Sequence, residues 1–205
     1  EKVVLMGHSL GALTALLASG AYPQAGLGDR CERALDDLSL TNISKLLQCQ
    51  VADVSIKKMQ AFSPLEAIIG LNSFGSLLWP NKGDALIPVP VLLVGGTQDL
   101  ITPPLREQLG LLIATPSHPA SRVLLIEGAS HFSPIRVEGQ IGDDSGDDLF
   151  QLSEKFVGIQ PLKVQMLIAN EIRLFLEDVE LGKGMKASIH KQIEDMRLHR
   201  LDRFS

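Results

Sequence analysis

The apolar positions of this chain fall into short unbroken runs, divided by glycine- and proline-marked turns, with stretches of helical spacing between them. Residues 3–6 (Val-Val-Leu-Met) are the first run, the pattern of a parallel strand covered on both faces. From Ala12 onward alanine and leucine dominate at helical spacing, and both favour helix. Within residues 22–58, Leu35, Leu38, Ile43, Leu46 and Leu47 recur at helical spacing and predict one or two short helices. This segment (21–58) reads either as a cap over a site or as helices covering the sheet. Residues 59–62 predict a second short strand, ending at Ser63-Pro64, and residues 65–82 read as loop because of Gly70, Gly75 and Trp79-Pro80-Asn81. Pro88-Val89-Pro90 introduces a buried strand over 91–94, Thr102-Pro103-Pro104 starts a helix through Leu112, and residues 122–126 predict another buried strand. Residues 138–148 are acidic and glycine-rich and read as a solvated loop. Residues 161–179 predict a long amphipathic helix with Val164, Leu167, Ile168, Ile172, Phe175 and Leu176 on one stripe. The mixed-charge tail, 182–205, reads as an outer helix, a membrane-surface or partner contact, or a disordered segment.

Strands alternating with helical stretches predict an α/β domain over 1–181 with a parallel sheet. In such sheets the functional side chains gather at the carboxyl ends of strands. Three polar residues stand there in turn: Ser9, Asp99 and His131. Ser9 lies in Gly7-x-Ser9-x-Gly11 between a strand and a helix, the nucleophile-elbow pattern. That turn holds its serine in a strained backbone so that the hydroxyl projects clear of the sheet. Gly7 and Gly11 are expected to let strand and helix approach closely. In this arrangement His131 takes the Ser9 proton and returns it to the leaving group, while Asp99 orients the imidazole and stabilises its charged form. The backbone N–H of Leu10 is the expected oxyanion donor. Asp84 and Asp53 are weaker candidates for the acid, because neither follows an apolar strand. His8 is expected to point away from the nucleophile, His118 lies in a proline-flanked loop, and His190 and His199 lie in the tail.

Composition narrows the classes further. The 205 residues suffice for one domain with a substantial core, and a net charge of −5 argues against nucleic acid as a partner. No run is long and apolar enough for a transmembrane helix. Cys31 and Cys49 either form a disulfide or remain two small thiols, and their spacing fits no zinc pattern; no other cluster suggests a metal or a cofactor. The chain starts at Glu1 without an initiator Met, so an upstream segment is expected.

With these residues in view, the chain resembles serine hydrolases of the α/β-hydrolase superfamily, in which nucleophile, acid and histidine follow in this order. More narrowly it is similar to bacterial, often cyanobacterial, proteins of the dienelactone hydrolase type and to the platelet-activating-factor acetylhydrolase branch. The matching pieces are Gly7-His8-Ser9-Leu10-Gly11-Ala12, Leu46-Leu47-Gln48-Cys49, the run from Val89 to Asp99, and the run from Leu125 to Ser133. The resemblance implies cofactor-free hydrolysis of carboxylic esters, small or lipid-derived, through an acyl-enzyme. Thioesterase or acyltransferase chemistry with the same triad, or a non-catalytic binding module on the same fold, are its alternatives. It implies the C-terminal half of the fold, strands five to eight with flanking helices, truncated at the N-terminus and poorly active alone. Export to the periplasm or outside, and with it the Cys31–Cys49 disulfide, is a further implication. The chain departs from the pattern in two places: Ala12 stands where a third glycine is usual, and Ser9 where dienelactone hydrolases proper use cysteine.

Overall fold

The strands assemble into one mixed sheet of six, in the order β1-β2-β3-β4-β6-β5. The computed structural model describes residues 2–36, 43–54, 56, 64–135, 161–185, 188–193 and 196–202. Strands β1 (Val3–His8), β2 (Leu65–Leu71), β3 (Val91–Gly96) and β4 (Arg122–Ile126) run parallel. The register sets His8 opposite Leu71, Leu71 opposite Val94, and Gly96 opposite Ile126, so the four carboxyl ends open along one edge. Helices α1 (Leu10–Ala18), α2 (Leu27–Leu35), α3 (Ile43–Ala52), α4 (Gln108–Ala114) and α5 (Pro161–Glu180) flank the sheet.

The inner strands are apolar throughout because successive side chains feed opposite layers, and both layers are covered. Ile68, Val91, Leu93, Val123 and Leu125 meet Leu13 and Leu16 of α1 and Leu111 and Leu112 of α4. Ile69, Leu92, Val94, Leu124 and Ile126 meet Val164, Leu167, Ile168 and Phe175 of α5. Each such side chain stabilises the fold by about 1.5–3 kcal/mol through burial. β1 is one of the two edge strands and leaves Val4 and Met6 exposed. Among the described residues, no helix is long and apolar enough to cross a membrane.

Three expectations change. Residues 65–71, read as loop, form the second strand β2, buried from Ala67 to Leu71. Its apolar run was masked by Gly70, whose bare Cα faces Leu93 and Ser73. The strand expected over 59–62 and the loop over 138–148 lie outside the described residues. The helix expected from Thr102 begins at Gln108, since residues 102–107 are spent on turns closed by Arg106 and Glu107 N–H bonds to the Pro103 carbonyl. The tail is part of the sheet: β5 (Ile189–Ile193) and β6 (Met196–Leu201) form an antiparallel hairpin, and β6 pairs antiparallel with β4. Met196 and Leu198 bury into the α5 layer, and the Arg200 guanidinium grips the buried Glu171 carboxylate of α5 at 2.6–2.9 Å.

From the described part of the 21–58 segment, Leu27, Leu47 and Val51 pack on the core that α1 and α4 share. Gln48 and Ser44 of α3 hydrogen-bond the buried Glu107 carboxylate, which also accepts from the N–H groups of Gly75 and Ser76. In the structure a disulfide joins Cys31 of α2 to Cys49 of α3, with Cα atoms 5.4 Å apart. Cross-linking positions 18 residues apart removes loop entropy from the unfolded chain. Reducing it, or replacing both cysteines with alanine, is expected to lower unfolding free energy by about 3 kcal/mol in a denaturant titration.

Candidate active site

Ser9 sits where β1 gives way to α1, in the left-handed region with φ 53° and ψ −119°. Serine at a helix N-cap ordinarily turns its hydroxyl onto the first-turn N–H groups, which stabilises a helix by about 1 kcal/mol. Here the side chain makes no cap bond, and its Oγ lies 3.0 Å from Nε2 of His131. The helix gives up its cap, and the hydroxyl is left free to react.

The two glycines of the elbow prove unequal. A Cβ on Gly7 would come within 2.2 Å of the Gly11 carbonyl group, whereas a Cβ on Gly11 would meet nothing within 4 Å. Close approach of strand and helix therefore depends on Gly7 alone, which corrects the expectation for Gly11. Gly7→Ala is expected to destabilise by about 1–3 kcal/mol through overpacking. Gly11→Ala, inside α1, is expected to be neutral or stabilising by up to about 1 kcal/mol from helix propensity. Paired thermal melts of the two variants test the asymmetry. Leu10 opens α1, so its N–H has no acceptor one turn back and stands at the positive end of the helix dipole.

Asp99 follows β3 and is buried. Its Oδ1 accepts from the N–H groups of Ile101 (2.9 Å) and Thr102 (2.7 Å). Its Oδ2 accepts from Asn72 Nδ2 (2.7 Å), from the Thr102 hydroxyl (2.5 Å) and from His131 Nδ1 (2.9 Å). Burial pushes the carboxyl pKa up, but the bonds and attraction of His131 and the Thr102 donors outweigh it, and the net shift is downward. Asp99 is therefore a carboxylate at neutral pH, and its partner Nδ1 on His131 carries a proton. Nε2 of His131 is then the lone-pair nitrogen facing Ser9.

His131, also buried, arrives by a loop after β4 that lies directly on the end of β3. Gln98 N–H bonds the Ala129 carbonyl at 3.0 Å, and a Cβ on Gly96 would come within 2.1 Å of that same oxygen. Gly96 is thus what lets the histidine loop settle against the strand carrying the acid. The sequence-predicted residues Ser9, Asp99 and His131 come together as one hydrogen-bonded relay. The rivals lie elsewhere: Asp84 caps Asn81, Asp53 is exposed, His118 accepts from Ala120 N–H, and His190 pairs with His199 on the hairpin.

Two residues at the site were not foreseen. Asn72 follows β2, at the fourth carboxyl end, with φ 47°, and holds Asp99 as described. An apolar run ending in Asn72-Ser73 was the signal available for it. His8, expected to point away, instead directs Nε2 at the His131 backbone carbonyl, 2.7 Å distant. Among the described residues, no group of three or more His, Cys, Asp or Glu is placed to hold a metal ion. The chain matches no protein-family model and no curated protein sequence.

Proposed function

We propose that this protein is a serine hydrolase that cleaves carboxylic esters through a covalent acyl-enzyme, with Ser9 as nucleophile, His131 as general base and acid, and Asp99 as the orienting acid. The observation that carries this reading is the continuous relay from Ser9 Oγ through both His131 nitrogens to Asp99 Oδ2, at 3.0 and 2.9 Å. Those are the distances general-base activation of a hydroxyl requires.

The steps follow from the atoms. Ser9 Oγ attacks the acyl carbon while its proton passes to His131 Nε2, and the charged imidazole is stabilised by the Asp99 carboxylate. The tetrahedral oxyanion is met by the Leu10 N–H at the helix terminus. Collapse expels the alcohol, which takes the proton from Nε2. Water then repeats the sequence on the acyl-enzyme and releases the acid. Leu10 directly follows the nucleophile and Leu100 the acid, and both side chains are exposed, which favours an apolar acyl group. A thiol ester or an acyl acceptor other than water would use the same groups.

The fold-level part of the proposal is that β1–β4 are strands five to eight of an α/β-hydrolase fold. It rests on four parallel strands with Ser9 after the first, Asp99 after the third and His131 after the fourth. The Cys31–Cys49 disulfide supports an oxidising compartment.

A p-nitrophenyl ester series from acetate to palmitate tests the reading. Fluorophosphonate labelling of Ser9 accompanies it. Hydrolysis and labelling that vanish together in Ser9→Ala are the expected result. A folded protein that neither labels nor hydrolyses any ester would overturn it in favour of a binding module.

A further inference from the structure

We propose that His8 is a positioning residue for the general base: its Nε2–H holds the His131 carbonyl and thereby fixes the spacing between His131 and Ser9. The inference rests on the triad assignment above. The relay has three parts from three strand ends, and most of their ties are visible. Asp99 is held by the donors already described, and the His131 loop is tied to β3 through Gln98 and through the bond from Gly128 N–H to the Thr97 hydroxyl. Those ties set His131 against Asp99. They do not set it against the nucleophile, which belongs to a different strand. His8 is the last residue of β1, directly before Ser9, and its bond to the His131 carbonyl spans 123 positions of sequence. One side chain thus joins the backbone of the nucleophile to the backbone of the base.

The chemistry of the bond is unambiguous in one respect. A carbonyl only accepts, so the proton is on Nε2 of His8, and the neutral ring leaves Nδ1 as a lone pair. The two imidazoles lie 4.9 Å apart between centroids and 57° between planes, so they also touch as rings. This neighbour must remain uncharged when His131 becomes imidazolium during the reaction, or the two charges would repel. Burial lowers the His8 pKa; the bond to the His131 carbonyl opposes this, repulsion from His131 adds to it, attraction to Asp99 opposes it, and the net is a lowered value. His131 and Asp99 are the ionisable groups that face it. His8 therefore holds the base without competing for its charge.

Small misplacements at a reacting centre cost about 10²-fold in rate. His8→Ala is expected to lower kcat on the best p-nitrophenyl ester by about 10–100-fold, with KM little changed. His8→Gln places an amide N–H where Nε2 stood and is expected to recover most of that loss. His8→Asn carries its amide where Nδ1 stood, too short to reach the carbonyl, and is expected to resemble alanine. Wild type is also expected to lose additional activity at acid pH as His8 protonates beside His131, a loss absent from His8→Gln. A merely structural histidine would give parallel losses of melting temperature, no preference for glutamine over asparagine, and an unchanged pH profile.

A second measurement stands apart from turnover. The ¹⁵N resonance of His131 Nε2, which reports its hydrogen bond with Ser9 Oγ and is calibrated by its change in Ser9→Ala, is expected to move toward the Ser9→Ala position in folded His8→Ala and to keep the wild-type position in His8→Gln. If wild type hydrolyses no ester while this pattern holds, the esterase reading fails and the positioning role stands. If Ser9-dependent hydrolysis is present but rates and resonance in His8→Ala match wild type, the positioning role is overturned and the esterase reading stands.

Discussion

Ser9→Ala is expected to lower kcat for ester hydrolysis by about 10⁶-fold, the cost of removing the nucleophile from a Ser-His-Asp relay. The fold should tolerate the change. Ser9 Oγ caps no helix N–H, so its loss removes no first-turn bond, and among the described residues its one hydrogen bond is to His131. The φ of 53° is strained for serine and for alanine alike, so the strain is common to both proteins. A melting temperature close to wild type, with only the small residual rate that the oxyanion donor and binding supply and no fluorophosphonate adduct, is the outcome sought. Retention of more than a small fraction of activity would mean that another group attacks the ester.

Asp99→Asn should cost about 10⁴-fold in kcat, and the reason lies in what surrounds the two oxygens. Every partner of this carboxylate is a donor: two backbone N–H groups on Oδ1, and Asn72, Thr102 and His131 on Oδ2. An asparagine must turn its NH₂ toward one set or the other. Toward the backbone it opposes two N–H groups directly. Toward His131 it demands a lone pair on Nδ1, which moves the ring proton to Nε2 and removes the acceptor Ser9 needs. Either choice also removes the charge that stabilises the imidazolium. The two effects can be told apart, since wrong orientation lowers kcat at all pH values whereas lost stability appears in the melt.

Stability provides a pH signature for the same substitution. The folded pKa of Asp99 lies below its ordinary value of 3.8, so its ionised form is favoured by folding. Its contribution is fully present above that value and is lost as pH falls through the lower folded value. Acid titration of unfolding free energy in wild type and Asp99→Asn should therefore converge toward the acid end. Equal slopes in both proteins below pH 3.8 would contradict the assignment of Asp99 as a strongly bonded carboxylate.

What the sequence by itself determined is local. The strand-turn-helix around Ser9 is readable because an apolar run, Gly7 and an alanine- and leucine-rich helix sit within a few residues of one another. The same holds for the ends of β3 and β4, where short buried runs stop at Asp99 and at the His131 turn. Parallel order then follows from alternation of strand and helix, and with it the prospect that these ends share an edge. Identity and position of the candidate nucleophile, acid and base were legible on those grounds alone.

Everything that depends on contact between distant segments was decided only by tertiary structure. Asn72 required β2 to be recognised as a central strand, and its run was broken by Gly70, a residue that disfavours strands except where another group must come close. The hairpin β5–β6 read as an outer helix, a membrane-surface or partner contact, or a disordered segment because its residues are of mixed charge; its partner is β4, far back in the chain, and no local pattern names that partner. The unequal roles of Gly7 and Gly11 are a matter of ångströms between one backbone and another. His8 is the clearest case. Strand alternation predicts that it and Ser9 point apart, but the elbow breaks the alternation at φ 53°, and the loop carrying His131 folds back over the end of β1 to meet both side chains.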